Sequence, residues 1–127
     1  MYHNHTEQTR GNPSRIHVGI DVGSTTTKIC VIAPRDHDVL FSRYIRHNAR
    51  QAQSVVEILT ELDKRFPTSS LRVALCGSGG KSIADALDLP YSQEVVGNSL
   101  SVRTLHSATR CAIELGGQDA KMIFFRP

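Results

Sequence analysis

One turn is written twice in this chain. Ile20-Asp21-Val22-Gly23-Ser24-Thr25-Thr26-Thr27-Lys28 recurs in the same frame as Ile113-Glu114-Leu115-Gly116-Gly117-Gln118-Asp119-Ala120-Lys121. Each copy is entered and left by an apolar, strand-like run, with an acid at the end of the first run and glycine just beyond it. Glycine permits a tight turn and lets backbone N–H groups approach an anion closely, while hydroxyl, amide and lysine side chains add donors. The repetition therefore predicts two hairpins built to hold phosphate. For either copy alone, an ordinary Gly-Ser-Thr connection between strands is the competing reading. Shared acid, glycine and lysine positions weigh against it.

A carboxylate beside a phosphate repels it unless a cation or a proton lies between them. Magnesium is the favoured resolution, because a hard divalent ion is commonly held by one or two carboxylates, its own waters and phosphate oxygens. A carboxylate at that distance also orients an attacking water.

With 127 residues the chain is one small domain or a piece of a larger protein, long enough for a single core. No run reaches the length of a membrane span, and the N-terminus lacks the apolar stretch of a signal peptide. A cytoplasmic location is the default expectation. The net charge of +3 raises the question of a nucleic-acid partner. Arg35, Arg43, Arg46 and Arg50 form the densest basic group, but acids and apolar residues interrupt the chain elsewhere and tryptophan is absent, so this group reads as a solvated face. Cys30, Cys76 and Cys111 are isolated and odd in number, without Cys-x-x-Cys spacing, and are expected to be buried free thiols rather than zinc ligands or disulfides. Residues 1–14, which include His3 and His5, read as a flexible polar leader without a metal role.

Apolar alternation predicts strands over Arg15 to Val22, Thr26 to Ala33 and Val39 to Asn48, an antiparallel three-stranded meander. Ala52, Val55, Val56, Leu59, Leu62 and Phe66 fall at helical spacing and Pro67 ends the run. Leu71 to Cys76 is almost wholly apolar, which predicts a parallel or central strand buried on both faces. A short helix carries Ile83, Ala84 and Leu87, and Asn98 is a plausible N-cap for another running through Leu105. Strands over Cys111 to Leu115 and Lys121 to Phe125 flank the second glycine turn. A closing apolar strand would leave a hydrophobic face uncovered, so the chain is expected to be a truncated part of a longer protein.

Gly77-Ser78-Gly79-Gly80-Lys81-Ser82 imitates the phosphate loop of nucleotide hydrolases. That loop needs glycine five residues before the glycine preceding lysine, where this chain has Leu75. A glycine-rich strand-to-helix connection that shapes a cleft is the better reading.

Gly19 through Lys28 resembles the first phosphate motif of the actin, heat-shock chaperone and sugar kinase superfamily. Ile113 through Lys121, with its Gly-Gly-Gln-Asp run, is similar to a narrower group: the ATPase activators (CoA-substrate-specific enzyme activases) of 2-hydroxyacyl-CoA dehydratases and the ATP-binding subunits of benzoyl-CoA reductase. The resemblance spans about Ile16 to Phe125. It implies an α/β fold: a ribonuclease-H-like (actin-type ATPase) subdomain over residues 15–127, with a mixed sheet, the antiparallel meander and flanking helices. It also implies ATP and Mg2+ as cofactors, a homodimer bridged by one [4Fe–4S] cluster, and a dehydratase or reductase partner that receives an electron driven by ATP turnover.

Carried over by position, Asp21 would orient magnesium-bound or nucleophilic water, and Gly23, Ser24, Thr25 and Thr26 would hold the terminal phosphates. Lys28 would add charge to the phosphates or simply project from its strand; both readings stay open. Gly116 and Gly117 would form the facing loop, with Gln118 and Asp119 near the γ-phosphate or its metal. Glu114 would be the second metal carboxylate, although many activators have Asp there and the longer arm shifts the metal distance. The cluster cysteines and the adenine-binding glycines lie, in that family, downstream of Pro127, and Cys30, Cys76 and Cys111 match neither ligand position. Two other functions remain open at this level: a small-molecule kinase of the same superfamily with Asp119 or another cleft acid as base, and a non-catalytic nucleotide-sensing module.

Overall fold

The computed structural model describes residues 13–126, so His3, His5 and most of the leader fall outside the described residues. The elements are β1 (Arg15–Val22), β2 (Thr26–Ile32), β3 (Val39–Arg46), α1 (Gln51–Arg65), β4 (Ser70–Cys76), α2 (Gly80–Ala86), α3 (Glu94–Leu105), β5 (Cys111–Leu115) and β6 (Ala120–Phe124). The first four strands form one mixed sheet in the order β3-β2-β1-β4. The pairs β1–β2 and β2–β3 are antiparallel, as the meander predicts, and β4 runs parallel to β1.

Period-two alternation decides which residues enter the core. Ile16, Val18, Ile20 and Val22 point inward from β1, and Thr27, Ile29 and Val31 from β2. Helix α1 lies across that face through Val55, Ile58 and Leu62, with Phe66 just beyond its end. Each such side chain contributes about 1.5–3 kcal/mol when fully buried. The buried stripe is narrower than the apolar pattern suggests, since Val56 is 62% exposed and Ile58 takes its place inside. A buried polar link, Thr27 Oγ1 to Ser54 Oγ at 2.7 Å, joins β2 to the first turn of α1 and leaves neither hydroxyl unpaired.

Three expectations are corrected. Strand β4 is an edge, not a central strand: Leu75 is buried but Leu71 is exposed. Its outer edge is covered only locally, where Leu75 N–H donates to Pro90 and Ser92 N–H donates back to Leu75. Asn98 lies inside α3 rather than at its start, because Gln93 takes the extended N-cap conformation and Glu94 occupies the first turn. Cys30 and Cys111 are exposed and Cys76 is half-buried, so none is a core thiol.

Strands β5 and β6 form a separate two-stranded ribbon. Neither they nor α3 contributes a buried residue, and Leu115, Phe124 and Leu100 are 80%, 72% and 67% exposed. No helix among the described residues is long and apolar enough to cross a membrane.

Candidate functional site

The two predicted turns close with the same hydrogen bond. Gly23 N–H donates to Thr26 O at 2.9 Å, and Gly116 N–H donates to Asp119 O at 2.8 Å, the same step along the shared frame. Each bond uses the first glycine's own amide, so that amide is not a phosphate donor. The next two, on Ser24 and Thr25 and on Gly117 and Gln118, make no hydrogen bond to other described residues. Adjacent unengaged N–H groups on a tight turn are the donors an anion-binding concavity uses.

The turns also meet. A Cβ placed on Gly117 would lie 2.7 Å from Thr25 Oγ1 and 3.2 Å from Thr25 Cγ2. A side chain at position 117 would crowd the side chain of Thr25, so the two turns are in contact.

Behind the first turn, the registers align Tyr44, Lys28, Asp21 and Cys76 in one row across β3, β2, β1 and β4. The row lies on the sheet face away from α1, since its neighbours Val22, Thr27 and Ile29 point toward the helix. Lys28 Nζ donates to Asp21 Oδ2 at 2.8 Å and sits 5.9 Å from the Tyr44 ring centroid. Burial alone would lower the Lys28 pKa, but the hydrogen bond and charge of Asp21, with smaller help from Tyr44 and Glu114, raise it above the ordinary value. Lys28 therefore braces Asp21 rather than projecting freely. The other carboxylate oxygen, Asp21 Oδ1, is buried and has no hydrogen-bond partner among the described residues.

Spacing places the glycine loop after β4 at a cleft but does not show that it presses on that oxygen. Gly77 has φ +91°, and a Cβ on it would lie 2.3 Å from Val22 O and 2.5 Å from Asp21 Oδ1. Gly79 N–H donates to Val22 O, and Tyr91 Oη donates to Gly77 O at 3.1 Å. The loop resembling a nucleotide-hydrolase motif is thus a third wall of the site. A second unheralded residue is His47, 5% exposed: its Nε2 lies 2.9 Å from Gly23 O while its Nδ1 accepts from Ala49 N–H. With Nδ1 accepting, Nε2 is the donor to Gly23 O, so the ring clamps the first turn from behind. A lone histidine in a sequence carries no pattern that would reveal this.

The second turn's acids are tied differently. Glu114 Oε2 accepts from Asn98 Nδ2 at 2.6 Å, and Lys121 Nζ bonds Glu94 at 2.7 Å and Asp119 at 3.0 Å. Asp119 folds over its own turn, with Oδ1 only 2.7 Å from where a Gly116 Cβ would be. Gln118 is exposed and makes no hydrogen bond to described residues. Burial first, then the charges of Asp21, Glu94 and Glu114 against the pull of Lys28, pushes the Cys76 thiol up to about 11. Acids of both turns thus act on one thiol.

The donor set suits magnesium in part. Asp21 Oδ1 is the orphaned buried oxygen a cation or its water would satisfy. No group of three or more His, Cys, Asp or Glu side chains suited to a metal gathers among the described residues. One protein oxygen is thus placed for an ion, whose other ligands would have to come from phosphate and water, and the three cysteines do not gather as an iron–sulfur cluster needs.

The fold recurs in solved structures. The (R)-2-hydroxyglutaryl-CoA dehydratase component A of Acidaminococcus fermentans superposes with a TM-score of 0.70 at 21% identity, over 89% of this chain and 44% of that one. The activator of the 2-hydroxyisocaproyl-CoA dehydratase from Clostridium difficile, solved with ADPNP bound, also gives 0.70, at 24% identity over 87% and 41%. A Ppx/GppA family member from Aquifex aeolicus gives 0.57 at 11% identity over 90% and 48%. This is the actin-type, ribonuclease-H-like ATPase fold. Among curated sequences, the uncharacterized protein YjiL of Escherichia coli (strain K12) is 33% identical over 107 residues, 84% of this chain. The chain spans about 40% of that relative's length. No protein-family profile matches the chain.

Proposed function

We propose that this chain is the phosphate-binding part of an ATP-hydrolysing activator that drives electron transfer to a 2-hydroxyacyl-CoA dehydratase or a related reductase. The observation that carries the reading is the approach of Gly117 to Thr25 beside the orphaned Asp21 Oδ1. The activator assignment is supported further by the TM-score of 0.70 for two dehydratase activators against 0.57 for the Ppx/GppA protein, and by the Gly116-Gly117-Gln118-Asp119 run.

In this reading residues 15–127 form the first ATPase subdomain and 1–14 a leader. The free amides of Ser24, Thr25, Gly117 and Gln118 grip the terminal phosphates from two sides, and Gln118 reaches toward the γ-phosphate. Two loops facing each other across a polyphosphate change their spacing when its end group leaves, which is how a local event becomes a domain movement. Asp21 and Glu114 would hold magnesium, which supplies charge neutralisation to the phosphates. Asp21 Oδ1 would accept a hydrogen bond from the attacking water and align it, while Lys28 holds the other carboxylate oxygen in place. In this reading a [4Fe–4S] cluster, the homodimer it would bridge and the contact with a dehydratase would rest on residues other than those described. A kinase reading needs a free acid as base, and Asp119 is paired with Lys121 instead.

The test is Asp21→Asn in the full-length protein, reconstituted with iron and sulfide without oxygen. ATP hydrolysis should fall by two orders of magnitude or so with the fold intact. Unchanged hydrolysis would remove Asp21 from the mechanism. Hydrolysis that is lost by the variant but, in the parent protein, never coupled to dehydratase reduction would keep the phosphate site and reject the activator role.

A further inference from the structure

The geometry points to a second anion-binding site, in the cavity between the end of β3 and the first turns of α1, that takes the phosphate or carboxylate group of a small molecule. The cavity is about 420 Å3 and is bordered by Arg46, His47, Asn48, Arg50, Gln53 and Glu57, among others. Small-molecule sites run from roughly 300 to 1,000 Å3, so this volume suits a metabolite-sized ligand rather than a macromolecular surface.

Charge sets the ligand's sign. Arg43, on the same strand, bonds Glu61, and Arg65 is paired with Glu61 at 3.6 Å. Arg46 and Arg50 have no such partner among the described residues. Two guanidiniums without an acid partner among the described residues border one cavity, and a planar oxyanion can take bidentate hydrogen bonds from such groups. Arginine keeps its charge at any ordinary pH. Asn48 and Gln53 add neutral donors. The first turn of α1 carries neither an acid nor a side-chain cap, so its amides reinforce the positive potential. Glu57 is the one carboxylate on the wall. It favours an anion that also presents a hydroxyl or ammonium donor, as a hydroxy acid or a phosphorylated small molecule does.

The backbone brings the two arginines together at a cost. Asn48 and Ala49 both adopt left-handed conformations, with φ 49° and 63°, between Arg46 and Arg50. For alanine such a conformation is strained and persists only where the surroundings enforce it. His47 does so, with Nδ1 accepting from Ala49 N–H and its carbonyl accepting from Arg50 N–H.

This cavity adjoins the first phosphate turn without being part of it. It borders β3, and Asp21 lies on β1 two strands away, roughly 10 Å by ordinary strand spacing. No residue proposed to hold the nucleotide lines it. The two sites meet along the β2–β3 seam: His47 stands in the cavity wall, clamps Gly23 O and donates its backbone N–H to Thr25 O at 3.2 Å, and Arg46 is the strand partner of Thr26.

The test is an amide NMR titration of this chain with inorganic phosphate and, separately, malate, at constant ionic strength set by chloride. Saturable shifts are expected across residues 46–53, with the tighter of the two probes identifying the preferred anionic group. Arg46→Ala with Arg50→Ala should weaken that binding roughly tenfold or more, and Asp21→Asn should leave it unchanged. Arg46→Lys with Arg50→Lys keeps the charge but loses the planar fork, and should fall between the two; it also serves if the alanine pair misfolds. Shifts confined to the Gly23–Thr26 and Gly116–Asp119 turns, no saturation beyond the chloride response, or full binding in the double variants would overturn the proposal.

Discussion

The two hairpins share a sequence frame and a turn hydrogen bond, yet they live in different surroundings. The first is two strands of a four-stranded sheet: Ile20 is 1% exposed beneath α1 and Asp21 is braced by Lys28. The second is a free-standing ribbon in which the matching Ile113 is 62% exposed and Glu114 turns to Asn98 instead of Lys121. Turn geometry is thus a property of a few residues, whereas burial and ion pairing are conferred by whatever packs around them. The better-anchored hairpin can act as the fixed jaw of a clamp, and the poorly anchored one as the jaw that moves.

The largest expected effect separates matched positions. Ile20→Ala should destabilise the chain by about 2–5 kcal/mol, while Ile113→Ala should change stability by no more than about 0.5 kcal/mol, both read by denaturant unfolding. Equal losses would mean the second ribbon is packed as tightly as the first. Next in size are two glycines. Gly77→Ala forces a left-handed alanine into Val22 O and should cost at least about 1–3 kcal/mol. Gly97→Ala, in α3 with open space around it, should stabilise by up to about 1 kcal/mol. A neutral Gly77→Ala would show that the third wall does not touch Asp21.

The smallest effect concerns pH. The Cys76 thiol, ordinarily near 9.0, is raised to about 11 in the folded chain, so the native state keeps a proton that the unfolded chain releases. Its contribution is complete below pH 9 and is lost as pH rises through 11. Stability should therefore decline over that window more in the parent sequence than in Cys76→Ala. Glu114→Gln should lower the thiol's value, measured by alkylation rate against pH, because the second hairpin's charge reaches Cys76. An identical alkylation profile would place that hairpin elsewhere.

What could be read in advance follows the same division. The frame of the turns, the bounds of β1 and the antiparallel meander are local, and alternation or glycine placement reveals them. The inward-facing Ile29 and Val31 even imply that Cys30 points outward, a signal outweighed by the habit of burying cysteine. The apolar run of β4 suggested burial on both faces, but its place at the sheet edge depends on what the rest of the chain provides. Asn98 looked like a cap because polar residues favour helix starts, whereas Glu94 in the first turn was the better marker. The grip of His47 on Gly23 and the pressure of Gly77 on Asp21 join residues 24 and 56 positions apart, and no spacing rule announces them.

The convergence of the two turns is most directly tested by a disulfide. A Cβ on Gly117 would lie 3.6 Å from Thr25 Cβ, within the roughly 3.5–4.5 Å that a disulfide spans. In a chain whose Cys30, Cys76 and Cys111 are replaced by alanine, Thr25→Cys with Gly117→Cys should cross-link rapidly under mild oxidation when folded and far more slowly in denaturant. Equally slow cross-linking in both states would mean the turns stand apart and share no phosphate.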